Sequence, residues 1–565
     1  MEKDWDLETD IVVVGSGAAG LTSALTASSL GLDVLVIEKA TCYGGTTALS
    51  GGVIWVPNNR LMKQHNIEDS SDEALRYLKH NVGNRVSEAK LAQLAMMSSK
   101  MLDHMVDHKF LKVTTFENFP DYSPESPGGL SQGGRSVEPM VFPGRKLGKA
   151  LTQMRKKGTT FAAGMVGTMT ELRQLAEIRS NPKVFMKAWK VFPRNLWNKL
   201  LGRSHLSTGS SLIAWLRNGL LKEEVPLMLR TELVELITSE EGVIGLVAKA
   251  SGKLLKIKAL KGVVITAGGF EHNSTMRKEF LPQQPKSTYT SGSSENTGDG
   301  INAGINIGAA VDIMDDAWWA PSLMVPEQGP QIVIFERGKP GNIIVNSAGK
   351  RYANEADPYN ELVKQMHEAH RSDASAVPSY LIFDSVFRNR YPLAGMLPGI
   401  TPSDYLKLGF IIKASSVREL ALKCDIPPNT LVETIERFND MALQGKDHDF
   451  NRGESAFDKF SGDPQIKPNP CLGPITKAPF YAVKLYPGDL GTKGGLLTNE
   501  YAQVINNDGV PITGLYSAGN SSAAVTGNFY PGAGGTIGPA MTFGYIAAIH
   551  ASGQYDEVSR EIDKI

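Results

Sequence analysis

The stretch that decides the fold runs from Asp10 to Glu38. Asp10-Ile11-Val12-Val13-Val14 leads into Gly15-Ser16-Gly17-Ala18-Ala19-Gly20 and a helical stretch to about Leu30; a second apolar run, Val34-Leu35-Val36-Ile37, then ends at Glu38. The first five residues are a short β-branched run, suited to a strand buried on both faces of a parallel sheet. The six that follow are GxGxxG, set between strand and helix. Such glycines allow a sharp turn and let the backbone close on a pyrophosphate at the helix N-terminus. Glu38 follows the last glycine by 18 residues. A carboxylate there accepts from both ribose hydroxyls and disfavours a 2′-phosphate. A Gly-rich turn without a ligand would not need strand, helix and acid in register, so the dinucleotide reading is the stronger one. The motif by itself leaves FAD and NAD open.

Composition sets the outer limits. At about 100–200 residues per domain, 565 residues allow two to four domains. Hydrophobic residues are 41% and charged residues 21%, a globular balance that excludes disordered and collagenous classes. Lys plus Arg and Asp plus Glu are 59 each, so the neutral whole gives no support for a nucleic-acid partner. Cys42, Cys424 and Cys471 are far apart, which argues against a disulfide framework or zinc ribbon and fits a reducing, cytoplasmic compartment. No apolar run is long enough to span a bilayer, and the acidic first ten residues lack the apolar core of a signal peptide.

Four more pieces extend the first. Gly44-Gly45-Thr46-Thr47 and Ser50-Gly51-Gly52 form a Gly/Thr-rich stretch after the acid strand, able to lie against a flavin and its phosphates. Lys261 to Phe270 is a buried strand ending in Ala267-Gly268-Gly269. Near the C-terminus come Gly514-Leu515-Tyr516-Ser517-Ala518-Gly519-Asn520 and then Gly534-Gly535-Thr536-Ile537-Gly538, opening a final helix. In this order the pieces resemble the fumarate reductase/succinate dehydrogenase flavoprotein superfamily. The resemblance implies an α/β fold: a Rossmann-like FAD-binding domain built from both chain ends (1–318 and 491–565), with an inserted α+β catalytic cap (319–490) marked by Arg337-Gly338 and Val345 to Glu355. It assigns cofactor contacts to Gly15, Ser16, Gly17, Ala18, Ala19, Gly20, Glu38, Lys39, Gly45, Thr46, Thr47, Ser50, Gly51, Gly52, Val234, Ala267, Gly268, Gly269, Asp299, Gly519, Asn520, Gly535, Thr536 and Ile537. With Thr46 and Thr47 in the loop where covalent members carry a histidine, FAD is expected to be held non-covalently.

The reaction turns on three tyrosines. Tyr122 lies in Phe116-Glu117-Asn118-Phe119-Pro120-Asp121-Tyr122, Tyr359 in Asn354-Glu355-Ala356-Asp357-Pro358-Tyr359, and Tyr530 in Gly527-Asn528-Phe529-Tyr530-Pro531-Gly532-Ala533-Gly534. These contexts, with Pro487 to Gly495, resemble the 3-ketosteroid Δ1-dehydrogenases, which oxidise C1–C2 of a 3-ketosteroid. The resemblance implies that Tyr530 OH and the Gly534 N–H stabilise the C3 enolate. Tyr359, as tyrosinate, takes the C2 proton, Tyr122 lowers the Tyr359 pKa, and the C1 hydride passes to flavin N5. Uncharged groups suit an apolar ketone, since charged clamps would be costly to desolvate. Phe116 and Trp319 are expected to wall the steroid; Trp318-Trp319 reads equally as core. Dehydrogenation at C4–C5, a fumarate-type reductase, and a non-catalytic flavin-binding or membrane-scaffold protein are the rival readings. Arg337, Arg351, Arg371 and Arg388 form no recognisable dicarboxylate clamp. His367 and His370, with Glu361 and Glu368, read as a solvated helix face, with no metal spacing.

One segment stands apart. Residues 141–205 hold fourteen Lys or Arg against Glu171 and Glu177, a surplus of twelve positive charges, and no flavin or cap motif falls in them. Asn181-Pro182 opens a helix whose one face carries Lys183, Lys187, Lys190 and Arg194 and whose other carries Phe185, Met186, Trp189 and Phe192. That pattern predicts an interfacial helix on an anionic membrane, against the alternative of a packed helix with lysines outward. A steroid with its side chain intact resides in bilayers, and the combination resembles cholest-4-en-3-one Δ1-dehydrogenases. The expected localisation is peripheral, on the inner face of the cell membrane, with an external electron acceptor such as a quinone.

Overall fold

The computed structural model describes residues 5–156, 165–176, 191–200, 204–281, 287–372 and 375–560. Strand β1 (Leu7–Val14) leads into helix α1 (Ala18–Ser29), and β2 (Val34–Glu38) lies parallel beside β1, Ile11 opposite Val34 and Val14 opposite Ile37. Two glycines make this turn. Gly15 has φ of +108°, and a Cβ there would stand 2.4 Å from the Thr266 carbonyl oxygen. A Cβ on Gly20 would meet the Gly15 oxygen at 2.1 Å, so only a glycine lets α1 pack on its own entry loop.

Helices α2 (Met169–Ala176), α3 (Val191–Leu200) and α4 (Thr208–Lys222) come next among the described elements that matter for the site. Strands β3 (Leu227–Leu229), β4 (Thr231–Ser239), β5 (Gly242–Ala250) and β6 (Lys253–Ile265) then return to the sheet. The long β6 pairs antiparallel with β5 along its first half and runs parallel to β1, where Val12 faces Val263.

The chain next builds a second, antiparallel sheet. Its strands are β7 (Ala317–Val325), β8 (Gly329–Ile332), β9 (Asn342–Val345), β10 (Ser379–Phe383), β11 (Ile412–Ala414) and β12 (Phe480–Thr492). Their order is β8-β7-β12-β10-β9, with β11 also on β12. The outgoing β7 and returning β12 pair with each other, Ala317 opposite Thr492. Helix α5 (Tyr359–Ser372) belongs to this region. The chain re-enters the first sheet through β13 (Gln503–Ile505) and β14 (Pro511–Ser517), completing the order β13-β14-β6-β1-β2-β3, and ends in α6 (Ile537–Ser552) and a short terminal helix.

The β-branched runs serve two faces. Ile11, Val13, Val36 and Val264 pack with Leu25 of α1, Leu216 of α4 and Ile546 of α6. Val12, Val14, Leu35, Ile37, Val263 and Ile265 turn the other way, onto Leu233 and Leu236 of β4 and Leu246 of β5. Each such side chain contributes about 1.5–3 kcal/mol by leaving water. The C-terminal edges of β1, β2 and β6 are thereby fixed side by side, at the place where α/β sheets bind ligands.

Candidate active site

A cavity of about 970 Å³ begins at those strand ends. Gly15 to Ala19, Glu38 and Lys39 line its first part, and Gly45, Thr46, Thr47 and Ser50 to Gly52 its middle. Main chain forms much of this wall: a Cβ built on Gly17 would meet only Thr47 Oγ1, at 3.7 Å. Thr47 Oγ1 accepts from the Ala18 N–H at 3.1 Å, tying the second glycine stretch to the start of α1. Glu38 accepts from the Ser16 N–H at 3.1 Å and the Ala40 N–H at 2.9 Å. The Lys39 ammonium donates to Thr297 Oγ1 at 2.7 Å and pairs with Asp299. Thr46 Oγ1 accepts from the Ser293 N–H at 2.9 Å and from Asn296 Nδ2 at 3.1 Å. Ala267, Gly268, Gly519, Asn520, Thr536 and Ile537 also line the cavity.

At the far end the three tyrosines meet. Ring centroids lie 5.5 Å apart for Tyr122 and Tyr359, 5.2 Å for Tyr122 and Tyr530, and 5.4 Å for Tyr359 and Tyr530. Each comes from a different segment. The Tyr122 loop is held by the Tyr122 N–H donating to the Pro531 oxygen at 3.1 Å, and by Asp121, which accepts from Trp55 Nε1 and Arg135, both at 2.9 Å. Tyr359 is the first residue of α5. Tyr530 OH accepts from Thr536 Oγ1 at 3.0 Å. Gly534 has φ of +87°, and a Cβ there would lie 2.6 Å from the Ile54 and Trp55 backbone, so the close approach requires glycine. Among the described residues its N–H donates to no protein acceptor.

Burial decides the tyrosines' acidity. Phe116, Phe119 and Phe457 cage them, and burial pushes Tyr122 and Tyr359 well above the usual phenol value, Tyr530 less. The expectation that Tyr122 lowers the Tyr359 pKa is therefore corrected: after burial, the neighbouring tyrosines push Tyr359 further up. Two features favour an anion here. The N-terminal end of α5 places its positive dipole end at Tyr359. The buried Arg337 guanidinium, which donates to the Val333 and Glu355 carbonyls, draws Tyr122 down.

The FAD binding domain model matches residues 10–537. The 3-oxosteroid 1-dehydrogenase of Mycolicibacterium smegmatis is 43% identical over 555 residues, spanning 96% of this chain and 97% of that protein. The chain belongs to the 3-ketosteroid Δ1-dehydrogenase family. A solved structure of a family member, the 3-ketosteroid Δ1-dehydrogenase of Sterolibacterium denitrificans in complex with 1,4-androstadiene-3,17-dione, aligns with TM-score 0.92 at 40% identity, covering 97% of this chain and 99% of that one. A 4-oxocyclohexanecarboxylate 2-dehydrogenase of Sinomonas cyclohexanicum is 35% identical over 570 residues, 97% of this chain and 94% of that protein. As in its family, the chain is an FAD-dependent oxidoreductase, and the residues fit FAD: a main-chain cradle at the α1 N-terminus, an acid at the end of β2, and a long cavity reaching the tyrosines.

The structure also moves some expected residues. Gly20, Gly269 and Gly535 stand behind the wall, where each makes room: a Cβ on Gly269 would meet Thr492 Oγ1 at 2.1 Å, and one on Gly535 the Tyr530 ring at 3.0 Å. Strand alternation turns the Val234 side chain outward, 47% exposed, and Leu233 lines the cavity instead. Alternation also separates the tryptophans. Trp318 packs on Tyr530, centroids 4.9 Å apart, and donates to Asn520 Oδ1 at 3.1 Å. Trp319 faces away, donating to Asp316 at 2.7 Å with His367 against its ring. Trp319 therefore does not wall the substrate end. His367 is buried rather than solvated.

Phe116 lines the cavity as expected, and so do Phe119, Phe335 and Leu490. The larger miss lies in the basic segment. Arg155, Met165, Met169, Leu172, Arg173 and Leu175 all line the cavity. The apolar spacing of Met169, Leu172 and Leu175 was the available signal for a buried helix. The buried Glu138 carboxylate holds the start of α2, accepting from the Met169 N–H and from Thr170 Oγ1 at 2.6 Å. Arg194, expected on a membrane face, pairs with Glu171 at 2.7 Å. The expected helix face from Lys183 to Lys190 lies outside the described residues, as does the side chain of Phe192.

Proposed function

We propose that this chain carries out 1,2-dehydrogenation of 3-ketosteroids, taking a 4-en-3-one to a 1,4-dien-3-one. The observation that carries the reading is the tyrosine cluster that lines the cavity beside Gly534. Tyr530 OH and the Gly534 N–H donate to the C3 carbonyl and stabilise the negative charge that develops on it. Tyr359, as tyrosinate, removes the C2 proton; Tyr122 is its hydrogen-bonding neighbour. FAD, held by Gly15 to Ala19, Glu38, Thr46, Thr47 and Ser50 to Gly52, supplies the acceptor for the C1 hydride. Phe116, Phe119, Ile332, Phe335 and Leu490 offer an apolar wall to the rings. In this reading residues 319–490 act as the catalytic cap on an FAD-binding domain made from 1–318 and 491–565.

The substrate class extends to steroids with an intact side chain, as in sterol degradation. The apolar stretch Met396, Leu397 and Ile400 lines the cavity, and Leu397 and Ile400 are 48% and 60% exposed, an arrangement suited to entry from a lipid surface. No helix among the described residues is long and apolar enough to cross a membrane. Peripheral binding to the anionic inner face of the cell membrane through 141–205, with a quinone as external acceptor, fits such a substrate.

The test is anaerobic bleaching of the holoenzyme by 4-en-3-ketosteroids, 5α-3-ketosteroids, 4-oxocyclohexanecarboxylate and succinate. Fast bleaching by the 4-en-3-ketosteroids with formation of the 1,4-diene is expected. Bleaching by one of the other three and not by these steroids would refute the assignment.

A further inference from the structure

The substrate cavity is not the only space that reaches the tyrosines. A second cleft of about 310 Å³ reaches one of them, Tyr122, and is lined also by Glu125, Ser126, Asp357, Glu361 and Gln365 among others. Its lining is polar where that of the substrate end is aromatic and aliphatic. Tyr122 is the one described residue that borders both spaces. Its ring packs on that of Tyr359, centroids 5.5 Å apart, and it borders a space wide enough for several water molecules.

Resting on the reaction proposed above, each turnover leaves a proton on Tyr359, and the base must lose it before it acts again. The substrate end of the cavity is a poor exit, being apolar and filled by the steroid. We propose that Tyr122 and Asp357 carry this proton from Tyr359 to solvent through the polar cleft. The step balances: the Tyr359 O–H bond breaks as its proton bonds to the Tyr122 oxygen, and the Tyr122 proton leaves through cleft water to the Asp357 carboxylate. Tyr359 returns to the anion, Tyr122 to the neutral phenol, and Asp357 becomes a carboxylic acid that discharges to bulk water.

The geometry at Asp357 suits the task. One carboxylate oxygen accepts from Asn354 Nδ2 at 2.9 Å and the other from Gln365 Nε2 at 3.1 Å. Each oxygen keeps a second lone pair for the cleft. Asp458 and Glu361 repel a charge on Asp357, and Arg337 favours it. With burial as the largest cause, the carboxyl is pushed up to about 7, where it both takes and gives a proton at neutral pH. Glu125 closes one side of the cleft by accepting from the Ala456 N–H at 2.7 Å.

The experiment is an anaerobic single turnover of the holoenzyme with a water-soluble 4-en-3-ketosteroid, in weak buffer with a pH-indicator dye. Flavin bleaching and proton appearance are followed together, and steady-state turnover is measured alongside. In the wild type, proton appearance should track bleaching. In Asp357→Asn, proton appearance and steady turnover should slow by about tenfold or more, bleaching in the first turnover should fall far less, and imidazole or formate should restore the loss. Unchanged proton appearance overturns the relay. An equal loss of bleaching and proton appearance, without rescue, also overturns it and makes Asp357 a support for the α5 start. If Asp357→Asn does not fold, Ser126→Phe, which fills the cleft, decides by the same lag or its absence. A wild type that no ketosteroid bleaches refutes the reaction itself, a different failure from a relay that is bypassed.

Discussion

The two ends of the cavity are built by opposite means. At the dinucleotide end, recognition rests on main chain: the turn at Gly15, the α1 N-terminus, and the stretch from Gly45 to Gly52. At the other end it rests on side chains, with Tyr122, Tyr359 and Tyr530 brought from three distant segments to ring separations of 5.2–5.5 Å. The first kind of site fails through backbone geometry and keeps no alternative conformation. The second fails through single atoms, such as one hydroxyl, with the surrounding aromatic packing intact. The contrast is therefore testable by asking which function each change removes.

The sharpest test is at the side-chain end. Tyr359→Phe removes one oxygen and keeps the ring, so turnover should fall by about 10²–10⁴-fold with FAD still bound. Tyr530→Phe should fall similarly by losing the enolate donor. Near-normal rates in either variant would sink its role. Burial raises the Tyr359 pKa, and in the proposed reaction the active form is the anion, so wild-type activity should rise with pH on the alkaline side as that form grows. The same rise should be absent in the residual activity of Tyr359→Phe.

At the main-chain end, Gly15→Ala asks for a φ of +108° from an L-residue and sets a Cβ 2.4 Å from the Thr266 oxygen. The expected result is loss of FAD, read as flavin-to-protein ratio, with about 1–3 kcal/mol of stability lost as well. Retention of full FAD by this variant would deny that the turn is the anchor. No histidine or cysteine lines the cavity among the described residues. Acid precipitation of the wild type should accordingly leave a colourless pellet and yellow supernatant; a yellow pellet would show a covalent link.

This difference also explains what the sequence made legible. The GxGxxG turn and the parallel β1–β2 pair could be read because every requirement falls within thirty residues or so, a local pattern. The tyrosines could be found from their flanking residues, but not their acidity, because the cage of Phe116, Phe119 and Phe457 is a tertiary fact. Trp318 and Trp319 were indistinguishable until strand β7 set their two faces. The basic segment misled because charge counts describe its surface, whereas Met165, just before α2, and Met169, Leu172 and Leu175 within it form cavity wall. Asp357 carried no sequence signal at all beyond its place beside Tyr359, since the cleft that gives it a role joins segments from 122–126, 357–365 and 455.

The smallest expected effect concerns the outer surface of that segment. Val191 at the start of α3 is buried against Leu172 and Leu175 of α2, whereas Leu196 and Trp197 are 61% and 60% exposed. Arg194 is engaged with Glu171, so this part of the surface offers lipid an apolar pair more than a cation. Burying a Leu-sized side chain fully contributes about 1.5–3 kcal/mol, and an interfacial location captures part of it. With about 1.4 kcal/mol per tenfold, Leu196→Ser with Trp197→Ser should weaken binding to anionic liposomes about tenfold. Bleaching by water-soluble ketosteroids should stay unchanged, because neither residue lines the cavity. The surplus of basic residues over 141–205 adds attraction that salt screens beyond about 8 Å at physiological strength. Wild-type binding should therefore fall with salt to a remainder, and the variant should lose mainly that remainder. Equal sedimentation of both proteins, or a wild type that ignores anionic liposomes, would assign Leu196 and Trp197 no part in lipid contact and would leave both ends of the cavity as argued.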